Sequence, residues 1–90
     1  MGSRRLVRSE EVLWRRTARD VVALALDGED PVVLSGAGLL LWELLEEPVQ
    51  ADELYGVLAD VHGIALEVVL EEAEPVVEEL IRLGIVQVRS

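Results

Sequence analysis

The chain has 90 residues and a formal net charge of −10, with 51% hydrophobic, 29% charged and 3% aromatic residues. That composition is globular rather than disordered, at a length that supports one small core. It has no cysteine, which excludes a disulfide framework and a thiolate metal site. No apolar run approaches the roughly 20 residues of a membrane span, and no signal-peptide core follows the N-terminal arginines, so a cytoplasmic protein is expected.

The charge is unevenly spread. Lysine is absent, six of the eight arginines lie within Arg4–Arg19, and beyond Asp20 only Arg82 and Arg89 are basic. The body of the chain is therefore acidic. Phosphate binding needs the opposite balance, so no nucleic acid is expected as a partner. An acidic body favours basic or neutral partners.

Residues 1–9 read as a flexible N-terminal arm. Glu10–Arg16, "EVLWRR" with its flanking glutamate, reads as a first strand. Thr17–Asp20 is a turn, and Val21–Asp27 a second strand that is apolar on both faces. Asp27–Asp30, "DGED", supplies the Asp-Gly of a hairpin turn. Pro31–Leu34, "PVVL", returns as a third strand. Proline cannot donate to a ladder, so this strand belongs at an edge.

"SGAG" (Ser35–Gly38) then joins strand to helix. It begins like a dinucleotide fingerprint, but the third glycine would fall on Leu41, and there is no lysine for a phosphate loop. It reads as a joint, with Ser35 capping the first helix or standing as a passive turn residue.

Gly38–Glu47 is the first helix, with Leu40, Leu41, Leu44 and Leu45 on one face and Pro48 as its stop. Ala51–Gly63 is the second, with Leu54, Val57, Leu58 and Val61 on one face and Gly63 at its end. Ala65–Gly84 is the third, striped by Leu66, Val69, Leu70, Ala73, Val77 and Leu80. Pro75 within it removes a hydrogen bond, which predicts a kink or two shorter helices. Ile85–Val88 is a terminal extended piece. Strands followed by helices imply an α+β fold. The expected form is a three-stranded antiparallel sheet, then a three-helix bundle, winged-helix-like in outline, with a short C-terminal strand.

Chemistry-bearing constellations are sparse. His62 is the sole histidine, at a helix end where capping or solvation explains it. Glu67, Glu71, Glu72, Glu74, Glu78 and Glu79 crowd the third helix without the glycine-bearing loop of a calcium site, and read as a solvated face that attracts basic partners. Trp42 belongs to the core, while the side taken by Trp14 is open. No catalytic residue, metal site or cofactor is expected, and the chain reads as a non-enzyme.

Three apolar motifs in order carry a resemblance. Leu41-Trp42-Glu43-Leu44-Leu45 matches an "xxWxxL" helix centre. Asp52-Glu53-Leu54-Tyr55-Gly56-Val57-Leu58 matches "xELxxxL". Leu80-Ile81-Arg82-Leu83-Gly84-Ile85-Val86 matches "LxxLGLV". With the strands before them they resemble the PqqD-like family, the RiPP recognition elements, over about residues 10–88. Pro75 and the short acidic loop before Pro31 depart from that pattern.

The resemblance implies a domain at 10–88 that binds the leader segment of a ribosomally synthesised precursor peptide. The leader adds as a strand beside the third strand and packs on the third helix. Carried onto this chain, Pro31, Val32, Val33, Leu34 and Ser35 offer the edge, Val69, Ala73, Val76 and Leu80 the apolar wall, and Glu72 an anchor for a basic side chain. The partner enzyme is a separate one such as a leader peptidase or cyclase, lasso-type by analogy with stand-alone members. The alternatives are a self-associating adaptor pairing edge strands between copies, and a winged-helix DNA-binding domain. Against a docking edge stands a third strand covered by Ile85–Val88, by the arginine-rich N-terminal arm or by a second copy of the chain.

Overall fold

The computed structural model describes residues 4–26, 28 and 30–89. Met1–Ser3 of the expected arm, and Asp27 and Glu29 of the expected hairpin turn, lie outside the described residues. Among the described residues the chain runs β1 (Arg5–Arg8), β2 (Leu13–Arg16), β3 (Asp20–Leu24), β4 (Val32–Ser35), α1 (Ala37–Leu44), β5 (Val49–Gln50), α2 (Ala51–His62), α3 (Leu66–Arg82) and β6 (Val86–Arg89).

The fold is α+β, but it holds two three-stranded antiparallel sheets rather than one. The expected sheet is present in the order β2-β3-β4. The second has the order β5-β1-β6. Its central strand lies in the segment expected to be a flexible arm. "RLVR" is too short to show a period, yet Leu6 and Val7 are both buried, and burial of this pair is what holds the strand. Ile85–Val88 likewise finds its partner in β1, with Leu6 opposite Val88 and Arg8 opposite Val86. The two segments that were candidates to cover the third strand therefore cover each other.

Local chemistry sets the joints. Gly36, not Ser35, is the N-cap of α1, and its φ of 57° is a left-handed value that suits glycine. Ser35 ends β4 opposite Asp20 and makes no side-chain cap bond. The α1 helix stops at Leu44, short of Pro48, because the chain turns back into β5. α2 ends in a Schellman motif: Gly63 N–H donates to the Asp60 carbonyl and Ile64 N–H to that of Ala59. α3 ends the same way through Gly84 and Ile85 onto Ile81 and Leu80.

α3 runs through Pro75 as one helix of 17 residues, so the two-helix alternative fails. Pro75 sits on the exposed side, where water is able to serve the carbonyl of Glu71 that loses its donor. The helices do not form a separate bundle. α1 packs on β3, β4 and α2, whereas α3 packs on α2 and β6. One hydrophobic core joins both sheets to the helices through Leu6, Val21, Leu34, Trp42, Leu54, Val77 and Ile85.

Candidate functional site

β4 is an edge strand. It pairs with β3 alone, with Ala23 opposite Val32 and Val21 opposite Leu34. The direction of its main-chain groups follows from one bond at the far hairpin. Thr17 N–H donates to the Asp20 carbonyl at 2.8 Å, in the same register that sets Arg16 opposite Val21. Thr17 and Asp20 are therefore a hydrogen-bonded pair, and hydrogen-bonded and non-hydrogen-bonded pairs alternate along an antiparallel ladder. Val22 and Leu24 then face β2, while Val21 and Ala23 face β4. On β4 itself, Val32 and Leu34 turn their N–H and C=O groups toward β3. Val33 and Ser35 turn theirs to the open edge.

The same parity gives Pro31 a meaning. The N–H that proline lacks would point to the open edge, so the β3 ladder loses nothing. The edge is blunted at its start and open at Val33 and Ser35.

Side chains alternate as well. Leu34 is buried and Val32 half-buried, packed against Val21, Ala23 and the core. Val33 is 59% exposed on the opposite face, together with Leu13 at 65%. Five expected site residues thus lie along this edge, in different roles: Leu34 anchors, Val33 and Ser35 offer free main-chain groups, Val32 supports, and Pro31 blunts.

The expected wall on α3 is only partly a wall. Val69 and Leu80 are 4% and 3% exposed and belong to the core, so they support the surface from behind. This corrects their expected role as contact residues. An i, i+3, i+4 stripe marks the buried face of a helix first, and these two sit at its centre. Ala73 is half-buried against the core, while Val76 and Glu72 are exposed. Sequence reading also missed a concavity at the C-terminal end of α3, about 220 Å³, lined by Ala25, Gly28, Asp30, Leu83 and Ile85. It adjoins the turn that leads into β4. Leu83 was visible only as part of a glycine-terminated helix end, and its juxtaposition with Ala25 depends on how the sheets pack.

A second cluster lies at the other edge of this sheet, on β2. Trp42 is buried, as expected of its leucine-rich helix, and Trp14 meets it edge-on at 5.6 Å between ring centroids. The Arg8 guanidinium sits 4.4 Å from the Trp42 ring and 5.1 Å from that of Trp14. Its Nε donates to the Trp42 carbonyl at 2.8 Å. Burial pulls this guanidinium below its ordinary pKa, with Glu46 and Glu43 opposing the shift. The cluster joins β1, β2 and α1, and so ties one sheet to the other.

Three further titratable groups sit in local structural settings. His62 shares a 2.9 Å hydrogen bond between its Nδ1 and the Leu58 carbonyl in the last turn of α2. The hydrogen bond from Arg82 holds the Glu79 carboxyl below the usual range. Burial raises Tyr55, reinforced by Glu74, and its hydroxyl has no hydrogen-bond partner among the described residues. Among the described residues no cluster of histidine and carboxylate side chains is placed to hold a metal ion. No helix among the described residues is long and apolar enough to cross a membrane. The chain matches no protein-family model, no curated protein and no solved structure.

Proposed function

We propose that this chain is a non-enzymatic peptide-binding domain that takes an extended leader segment onto the open edge of β4. The leader of a ribosomally synthesised precursor peptide is the fitting cargo, delivered in the cytoplasm to a separate processing enzyme, a leader peptidase or cyclase of the lasso type. The observation that carries the reading is the outward pair of Val33 and Ser35 main-chain groups, beside a proline that removes nothing from the inner ladder. Strand addition draws affinity from such groups and specificity from alternate side chains. The resemblance assigns Val76 and Glu72 of α3, both exposed, as one apolar and one acidic contact for the cargo. The PqqD-like motif order on α1, α2 and α3 points to the same kind of cargo.

Self-association is the second reading, and the same edge supports it. Two copies of β4 related by a two-fold axis at Val33 would exchange Val33 N–H···O=C bonds, and each Ser35 N–H would reach a Pro31 carbonyl. DNA binding is disfavoured, since the six α3 glutamates that would meet the duplex are all exposed.

Calorimetric titration with the leader segment of a precursor peptide encoded beside this chain tests the proposal. Binding at about 10 nM to 10 μM is expected, tight enough to capture and weak enough to release. Val33→Pro removes one outward N–H and is expected to abolish binding with the circular dichroism spectrum intact. Undiminished binding by that variant rejects strand addition at β4. A dimer of the unmodified protein that fails to take up peptide favours self-association.

A further inference from the structure

The other edge of the same sheet is also open, and its chemistry is the reverse of the rest of the molecule. All four residues of β2 are exposed, and β2 pairs only with β3. By the parity fixed at Thr17 and Asp20, Trp14 and Arg16 turn their N–H and C=O groups to solvent. From Leu13 to Arg19 the chain carries Arg15, Arg16 and Arg19 and no carboxylate, in a protein of net charge −10. Arg16 meets Glu43 at 3.2 Å, with both side chains exposed. Arg15 and Arg19 have no ion-pair partner among the described residues. Leu13 and Trp14 present apolar surface between the charges, Trp14 at 48% exposure.

Arginines on an edge strand are also a device against aggregation. That device alone leaves the exposed Leu13 and Trp14 unexplained. We propose that β2 is a second docking edge, and that its occupant is an acidic, partly apolar extended segment of a partner protein. Charge decides the partner: three arginines stand in one short hairpin of an otherwise acidic surface. An incoming strand that alternates acidic and apolar residues would set its carboxylates on one face, beside Arg15 or beside Arg16. Arg8, stacked on Trp14, lies behind. The edges of a three-stranded sheet stand about 10 Å apart, two strand spacings. A segment on β2 therefore leaves β4 free, which is what a domain that holds one chain while meeting another requires. The β2 proposal does not depend on what β4 binds.

The test uses three fluorescein-labelled eight-residue peptides, alternating Val with Glu, Lys or Gln, and anisotropy titration of the intact chain. The Glu peptide is expected to bind at least about tenfold tighter than the Lys peptide at low salt, with the gap narrowing as salt screens it. Arg15→Glu combined with Arg19→Glu is expected to erase that preference, and both positions are exposed, so folding is preserved. Arg16→Pro is expected to bind more weakly than Arg16→Ala, because it alone removes an outward N–H. Val33→Pro is expected to leave the Glu peptide's affinity within about twofold, since it alters the other edge. That contrast separates failure here from failure at β4. Equal binding of the Glu and Lys peptides, or indifference to charge reversal, overturns the proposal. So does tighter binding of a single-stranded oligonucleotide than of the Glu peptide, which would make this edge a phosphate-binding surface.

Discussion

The two sheets of this protein are built alike and buried differently. β5-β1-β6 gathers strands from the start, middle and end of the chain, and its central residues Leu6 and Val7 are buried. β2-β3-β4 is made of consecutive strands, buries Val21, Ala23 and Leu34 on one face, and leaves Leu13 and Val33 exposed. The first closes the fold. The second leaves apolar side chains exposed on its outer face. A 90-residue chain has little surface to spare, and the proposed function divides stability and recognition between the sheets.

That division is testable by substitution. Trp42→Ala removes the largest fully buried side chain and its stack with Arg8, and is expected to cost about 3–5 kcal/mol. Leu6→Ala, buried at the centre of its sheet, is expected to cost about 2–5 kcal/mol, whereas Leu13→Ala, exposed on an edge strand, should stay within about 0.5 kcal/mol. Urea denaturation measures all three. Equal losses at Leu6 and Leu13 would dissolve the distinction between the sheets. The Leu6 result also bears on β1 directly, because a flexible arm would tolerate that change.

Tyr55→Phe has a smaller expected effect. The buried hydroxyl lacks a partner, so its removal should be neutral or stabilising by up to about 1 kcal/mol. The sign of its pH dependence is fixed by burial. The folded-state pKa lies above the ordinary value of 10.0. The associated stability is whole below that value and is lost as pH rises through the raised one. Phenylalanine should therefore flatten the alkaline limb of a stability profile. Smallest is the exposed Glu79–Arg82 pair. Glu79 is depressed, so its contribution is present above the unfolded carboxylate range and fades as pH falls through the folded value. Arg82→Gln should change only that acid limb, and only slightly at moderate salt.

What the sequence disclosed follows the same line. The consecutive strands, the glycine-ended helices, the buried Trp42 and the edge position of Val32–Leu34 were legible because each rests on short-range signals: turn residues, periods and a proline. β1 and the two-residue β5 were not, since "RLVR" and "VQ" carry no period and become strands only by pairing across the chain. The α3 stripe was read correctly as apolar but assigned to a groove, when its centre at Val69 and Leu80 was needed for the core. The outward direction of Val33 and Ser35 was beyond sequence reading, because it depends on the phase of a ladder fixed at Thr17 and Asp20.

That phase is the center of the account, and amide hydrogen exchange reads it residue by residue. In the free protein, Val32 and Leu34 amides should exchange slowly and Val33 and Ser35 amides fast. Adding the leader segment of the precursor should slow Val33 and Ser35 selectively. Protection of Val33 before any peptide is added, or peptide binding that leaves Val33 and Ser35 fast, would contradict strand addition at β4.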